Sequence, residues 1–164
     1  MVAGLLLTRF QAVDQMIRIE ASVIVNAPVE KIWNFMADFD TMTQWGRGYL
    51  EVKWQRPISV GSIVVVTAQG GLLLGRRTAN MKITDWEPTR KMGVEARSGG
   101  AKANAVITME PLEGGKTRLA RSAQVEIGGL LKLIQPYIAY RMKRVRSAEL
   151  DNVKRIVEAQ NSGA

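Results

Sequence analysis

The sequence contains no cysteine and no histidine. Without cysteine there is no disulfide framework and no thiolate nucleophile. Without histidine, the commonest general acid–base group and the commonest metal ligand are both missing. No apolar run approaches the roughly 18 residues that a membrane-spanning helix needs. The opening MVAGLLLTRF lacks a positive n-region and carries only a short apolar run, so it does not read as a signal peptide. Cytoplasm is the expected location. No cluster has metal-ligand spacing, and no serine sits in a nucleophile elbow. The glycine doublets are not followed by Lys-Ser/Thr, as a phosphate loop would be. No cofactor and no metal are expected.

What is present suits a single domain. The chain has 164 residues and is 46% hydrophobic, enough to bury a sizeable core. The net charge is +8. Between Leu130 and Ala159, Lys132, Arg141, Lys143, Arg144, Arg146, Lys154 and Arg155 face only Glu149, Asp151 and Glu158, so half of that charge sits on one element. The plain reading is a solvated helix face. No zinc finger, RNP-like motif or basic run interleaved with aromatics accompanies it, and nucleic acid is not an expected partner.

From Met16, apolar residues alternate with polar ones: Ile17, Ile19, Ala21, Val23 and Val25 share one face, as in a strand buried on one side. Asn26 and Ala27 end it. Pro28 suits the first turn of a helix, and Val29, Ile32, Trp33, Phe35, Met36 and Phe39 fill one arc of that helix. A second short helical turn, 40–45, ends at Trp45. Gly61 and the doublets at 70–71, 99–100, 114–115 and 128–129 then punctuate segments of strand composition at 49–55, 61–69, 72–86, 91–98, 102–110 and 116–127. A helical stretch follows to about Ala159, with Pro136 either starting the main helix or kinking it. The spacing predicts seven antiparallel strands, two short helices after the first, and one long C-terminal helix.

The segments IRIEASVIVNAPVEKIW (17–33), ADFDTMTQW (37–45), ITDWEPTRKM (83–92), GGKTRLARSAQVEIGG (114–129) and ELDNVKRIVEA (149–159), in this order, resemble the START-like (SRPBCC) superfamily, and more closely its polyketide cyclase/dehydrase-like branch. The resemblance covers most of residues 16–159. It leaves 1–15 as an N-terminal extension and 160–164 as a tail. It implies an α+β helix-grip fold, a seven-stranded curved sheet around the long helix. It also implies an internal cavity for a hydrophobic or amphipathic small molecule: a lipid, quinone or polyketide-like compound. Carriage without catalysis is the expected function. The alternatives are a polyketide cyclase/aromatase-like enzyme using cavity Arg, Tyr and Glu, and a quinone or lipid chaperone at a membrane surface. The oligomeric state is open, a homodimer included.

The candidate ligand-binding residues are Trp45, Tyr49, Trp54, Arg77, Met81, Arg121, Tyr137, Arg141 and Glu149. Trp33 reads as helix-to-sheet packing. Arg121 shares a strand face with Thr117, Leu119, Ala123 and Val125, and Arg77 lies beside Ala79, Met81 and Ile83. A charge on an apolar face must be paired, hydrated or functional. On a helical wheel with Leu130 at 0°, Leu130, Ile134, Ile138, Met142, Val145, Ala148, Val153 and Ile156 span about 0–140°, the face expected to meet the sheet. Arg141 and Glu149 fall inside that arc: the plain reading is that both lie near its edges and snorkel to solvent, and the alternative is that each meets a partner, for Glu149 a strand residue such as Arg77 or Arg121, trapped water or a ligand's polar end. Lys132, Lys143 and Lys154 line up on the opposite side, where weak peripheral contact with an anionic membrane is a lesser expectation.

Overall fold

The computed structural model describes residues 16–69, 75–98, 101–128 and 133–162. The readings placed on residues 1–15, on Leu130 and Lys132, and on the start of the strand at 72–74 lie outside them. The elements run β1 (Met16–Val25), α1 (Val29–Ala37), a 3₁₀ turn (Phe39–Thr41), α2 (Met42–Trp45), β2 (Tyr49–Lys53), β3 (Ile63–Gln69), β4 (Arg76–Glu87), β5 (Lys91–Ser98), β6 (Ala101–Leu112), β7 (Lys116–Glu126) and α3 (Gln135–Ser162). All neighbouring strands are antiparallel, and the sheet order is β1-β7-β6-β5-β4-β3-β2. The hairpin between β6 and β7 shows why a glycine doublet sits there. Gly114 and Gly115 both adopt positive φ, +71° and +68°, which costs a side-chain-bearing residue energy.

Pleating puts alternate residues on the face that meets α3. The register turns that alternation into rows across the sheet. Leu119 pairs with Met109 and Val23, and Arg121 with Ile107 and Ala21. Ala123 pairs with Ala105 and Ile19. Val125 pairs with Ala103, which continues through Ala96 to Met81 and Val64. Large side chains fill the end of this face under α1 and α2: Ile83, Met92, Met109 and Leu119 pack with Ile32, Met36 and Phe39 in one core. At the other end the rows are rich in alanine. A smaller cluster of Ile17, Ile19, Ala105, Ala123, Val125 and Ile127 meets Ile138, Ala139 and Met142 of α3 there.

Twenty-eight residues make α3 about 42 Å long. Pro136 lies in its first turn, where a missing N–H is harmless. The buried face differs from the arc expected from the sequence. Glu149, Leu150, Val153 and Val157 are buried, whereas Ile134 and Arg141 are exposed. On the same wheel the buried arc runs from about 80° to 200° rather than 0° to 140°. Leu150 and Val157 decide this rotation: burying them gains more apolar contact than burying Ile134 and Ala148 would. The turn carries Arg141 out and Arg146 in. Lys154 is not part of a free lysine row either. Its Nζ donates to the Ile24 carbonyl at 2.7 Å and to Glu158 Oε1 at 2.6 Å, fastening α3 to the β1 edge.

Leu150 is almost wholly buried between α3 and the sheet. Truncating it to alanine leaves a cavity in a packed site, and Leu150→Ala is expected to cost about 2–5 kcal/mol. Ile24→Ser, on the exposed face of β1, is expected to change stability by less than about 0.5 kcal/mol. Urea unfolding followed by tryptophan fluorescence distinguishes the two.

Candidate functional site

A cavity of about 230 Å³ lies between the alanine-rich end of the sheet and α3. Its walls come from β2 to β7 and one helix. Val66, Ala68, Ala79, Met81, Val94, Ala96, Ala103, Ala105, Ala123 and Val125 make it apolar, and Met142 roofs it. Small side chains on the inward positions are what leave the space. Its polar members are few: Tyr49, Arg121 and Arg146 inside, with Arg77 and Ser98 at the strand ends.

The polar side is organised by Glu149, whose side chain has 0% exposure. A buried carboxylate is tolerated only when paired and fully hydrogen-bonded. Here Arg121 Nη1 donates to Oε2 at 2.9 Å. Arg146 Nη1 donates to both oxygens, at 2.9 and 2.7 Å. The Arg47 amide donates to Oε1 at 3.3 Å, and Arg146 Nη1 also donates to the Tyr49 hydroxyl at 3.2 Å. Four parts of the chain thus meet at one carboxylate: β7, α3, the turn after α2, and β2 through Tyr49.

Two guanidiniums share one carboxylate, which leaves one positive charge uncompensated in a buried place. Burial pushes the Arg121 guanidinium below its ordinary pKa, and repulsion from Arg146 adds to this. Burial works in the same direction on Arg146, but its contacts with Tyr49 and Glu149 outweigh it and hold that group above its ordinary value. Both stay charged at neutral pH. The Arg121 side chain is 11% exposed. Its buried Nε meets no acceptor among the described residues, and neither does Trp45 Nε1.

The residues predicted from the sequence divide accordingly. Tyr49, Met81 and Arg121 line the cavity, and Arg77 stands exposed at its rim. Glu149 lies behind the wall as the partner of Arg121, not of Arg77. Trp45 is not a wall: it is buried in the core, edge-on to Tyr49 at 6.4 Å, and backs that ring. Trp54 is also elsewhere. Its Nε1 donates to Asp40 at 2.7 Å, its ring meets Phe39 edge-on, and Arg56 lies 4.5 Å above it. Tyr137 and Arg141 are exposed on the outward side of α3. Trp33 packs edge-on against Trp86 at 5.0 Å, the helix-to-sheet role expected of it.

Sequence reasoning missed Arg146 and the alanines. Arg146 stands three residues before Glu149, a spacing that brings helical side chains together. Alanines on inward strand positions carry no chemical signal until the register places them side by side. Among the described residues no group of three acidic or other metal-binding side chains comes together. No helix among them is long and apolar enough to cross a membrane.

This sheet and helix define a helix-grip domain, with an apolar cavity between the two. The sequence matches the family described as "Polyketide cyclase / dehydrase and lipid transport" over residues 16–158, and the chain belongs to it. Solved structures agree on the fold. A conserved protein from Geobacillus kaustophilus is 20% identical with a TM-score of 0.70, covering 85% of this chain and 94% of its own. The Zhui aromatase/cyclase from Streptomyces sp. R1128 is 18% identical with a TM-score of 0.69, covering 87% and 94%. A START superfamily protein from Mycobacterium smegmatis is 13% identical with a TM-score of 0.66, covering 85% and 98%. No curated protein matches the sequence.

Removing one partner of a buried ion cluster strands the others. Glu149→Ala is expected to cost about 3–5 kcal/mol, measured by chemical unfolding. The triple variant Arg121→Met, Arg146→Met, Glu149→Leu should recover most of that loss, because no charge is then left unpaired. Gly46 supplies a second test. A Cβ built there would lie 2.0 Å from the Tyr49 ring. Gly46→Ala should therefore displace Tyr49 from the cavity wall and cost about 1–3 kcal/mol, visible as a change in near-UV circular dichroism as well as in stability.

Proposed function

We propose that this protein binds and carries an amphipathic small molecule. Its apolar body rests on the alanine wall, and an anionic or strongly accepting head meets Arg121 and Arg146. The observation that carries this reading is the pair of guanidiniums, Arg121 and Arg146, that share the single Glu149 carboxylate at the edge of an apolar cavity. A ligand oxygen against the exposed part of these guanidiniums would offset the surplus positive charge. Apolar walls with a few converging polar groups are the usual make-up of a small-molecule site. The volume, about 230 Å³, is below the roughly 300–1,000 Å³ typical of drug-sized ligands. A longer ligand would leave part of its body at the rim beside Arg77.

Carriage is preferred over catalysis because the site offers little proton-transfer chemistry. Glu149 already accepts at both oxygens and is no free base. One observation favours the second reading, a cyclase-like enzyme: the Tyr49 hydroxyl lies on the cavity wall and is polarised by Arg146. A phenol so placed can donate to a developing enolate.

The matched pair 2-naphthoate and 2-naphthamide tests the head-group claim by titration calorimetry. Naphthoate should bind at least about tenfold more tightly, the scale of one charge-assisted hydrogen bond. Ala103→Leu, which fills the cavity, should abolish binding of both. Equal affinities, or unchanged binding to the filled variant, would refute the proposed site. Turnover of a linear polyketide analogue by the wild type, lost in Tyr49→Phe, would replace carriage with the enzyme.

A further inference from the structure

The geometry points to a docking surface for an anionic lipid bilayer on the outward face of the first half of α3. This does not rest on the cavity reading, since it concerns the opposite side of the helix. Just before the helix and along its first turns, Leu133, Ile134, Tyr137 and Tyr140 are 81%, 50%, 60% and 59% exposed. Arg141, Lys143 and Arg144 are exposed among them. With Leu133 at 0°, these seven residues fall within about −80° to 100° of the helix circumference, a continuous half. The opposite half holds Ile138, Ala139, Met142 and Arg146, which face the sheet and the cavity.

Two features make this a membrane surface rather than an ordinary solvated one. The first is composition. Exposed aliphatic residues interleaved with tyrosine and arginine match what partitions into the headgroup region: apolar side chains enter, tyrosine sits at the boundary, and cations meet lipid phosphate. The second is charge complementarity. No acidic residue occurs in α3 before Glu149, and Glu149 is buried. The outward face of the second half differs, because Asp151 and Arg155 there alternate in sign and no large apolar residue joins them. The contrast within one helix separates a specialised segment from helix surface in general. Arg144 also donates to the Tyr140 hydroxyl at 3.3 Å and lies 5.9 Å from its ring, so cation and aromatic present together. The same half of α3 carries Met142 over the cavity, so docking would bring the chamber close to the lipid.

The test is co-sedimentation of the full-length chain with vesicles of phosphatidylcholine alone or with 30% phosphatidylglycerol. Binding to the anionic vesicles at low salt is expected, weakening as salt rises. Arg141→Glu/Arg144→Glu should reduce it by about tenfold or more. Tyr137→Ser/Tyr140→Ser should reduce it in high salt, where the apolar contribution remains. Absence of binding at low salt overturns the proposal, as does binding that both double variants retain. Light scattering covers the other occupants. A dimer that Tyr137→Ser/Tyr140→Ser dissociates, without vesicle binding, makes the patch a self-association surface and overturns the membrane reading. Vesicle binding that appears only after deletion of residues 1–15 assigns the patch to that segment and also overturns it.

Discussion

The buried Glu149 carboxylate constrains more of this molecule than any other single group. It sits on the sheet-facing side of α3, and it takes hydrogen bonds from both Arg121 of β7 and Arg146 and from the Arg47 amide. An unpaired carboxylate in that position would cost several kcal/mol. The helix therefore cannot slide or roll along the sheet without separating the charge from its partners. The same cluster reaches β2 through Tyr49, and Gly46 leaves room for that ring. Helix rotation, the position of the short helices and one side of the cavity are coupled through a few hydrogen bonds.

The sheet presents one continuous inner face, yet uses it in two ways. Beneath α1 and α2, methionine, isoleucine and leucine fill the space and give a solid core. Toward the start of α3 the rows turn to alanine, and the face stands off from the helix. A hollow in a close-packed protein costs contact energy along its lining. The chain belongs to a family described by polyketide cyclisation, dehydration and lipid transport, and the proposed guest would restore those contacts. Under that proposal, the surplus guanidinium charge at its edge would give the guest an orientation.

The long helix carries two unlike surfaces. Its inner face supplies Met142, Arg146 and Glu149 to the chamber and its charge cluster. Its outer face, over the first turns, is aliphatic, aromatic and cationic at once. These demands compete for the same stretch of sequence. This is why the apolar residues of that stretch do not form one clean stripe, and why a single-arc reading of them places the helix about 70° from its true rotation.

The fold was legible in the sequence because its signals are local. Alternation from Ile17 to Val25, Pro28 before an amphipathic arc, and glycine pairs between strand-like segments each specify an element from neighbours a few residues away. The element order then left a long helix one place to rest. The candidate site was legible only in part. Arg121 and Glu149 stood out as charges on apolar faces, a conflict visible without coordinates. Trp45, Trp54, Tyr137 and Arg141 looked equally suitable by residue type, but type does not say which side of a wall a side chain occupies. Arg146 passed for a surface cation, and the alanines for filler. What decided these cases was strand register, which sets six alanines around one space, and the roll of α3, fixed by Leu150, Val157 and the Glu149 cluster. Both join residues far apart in the chain, and no periodicity within a single segment encodes them.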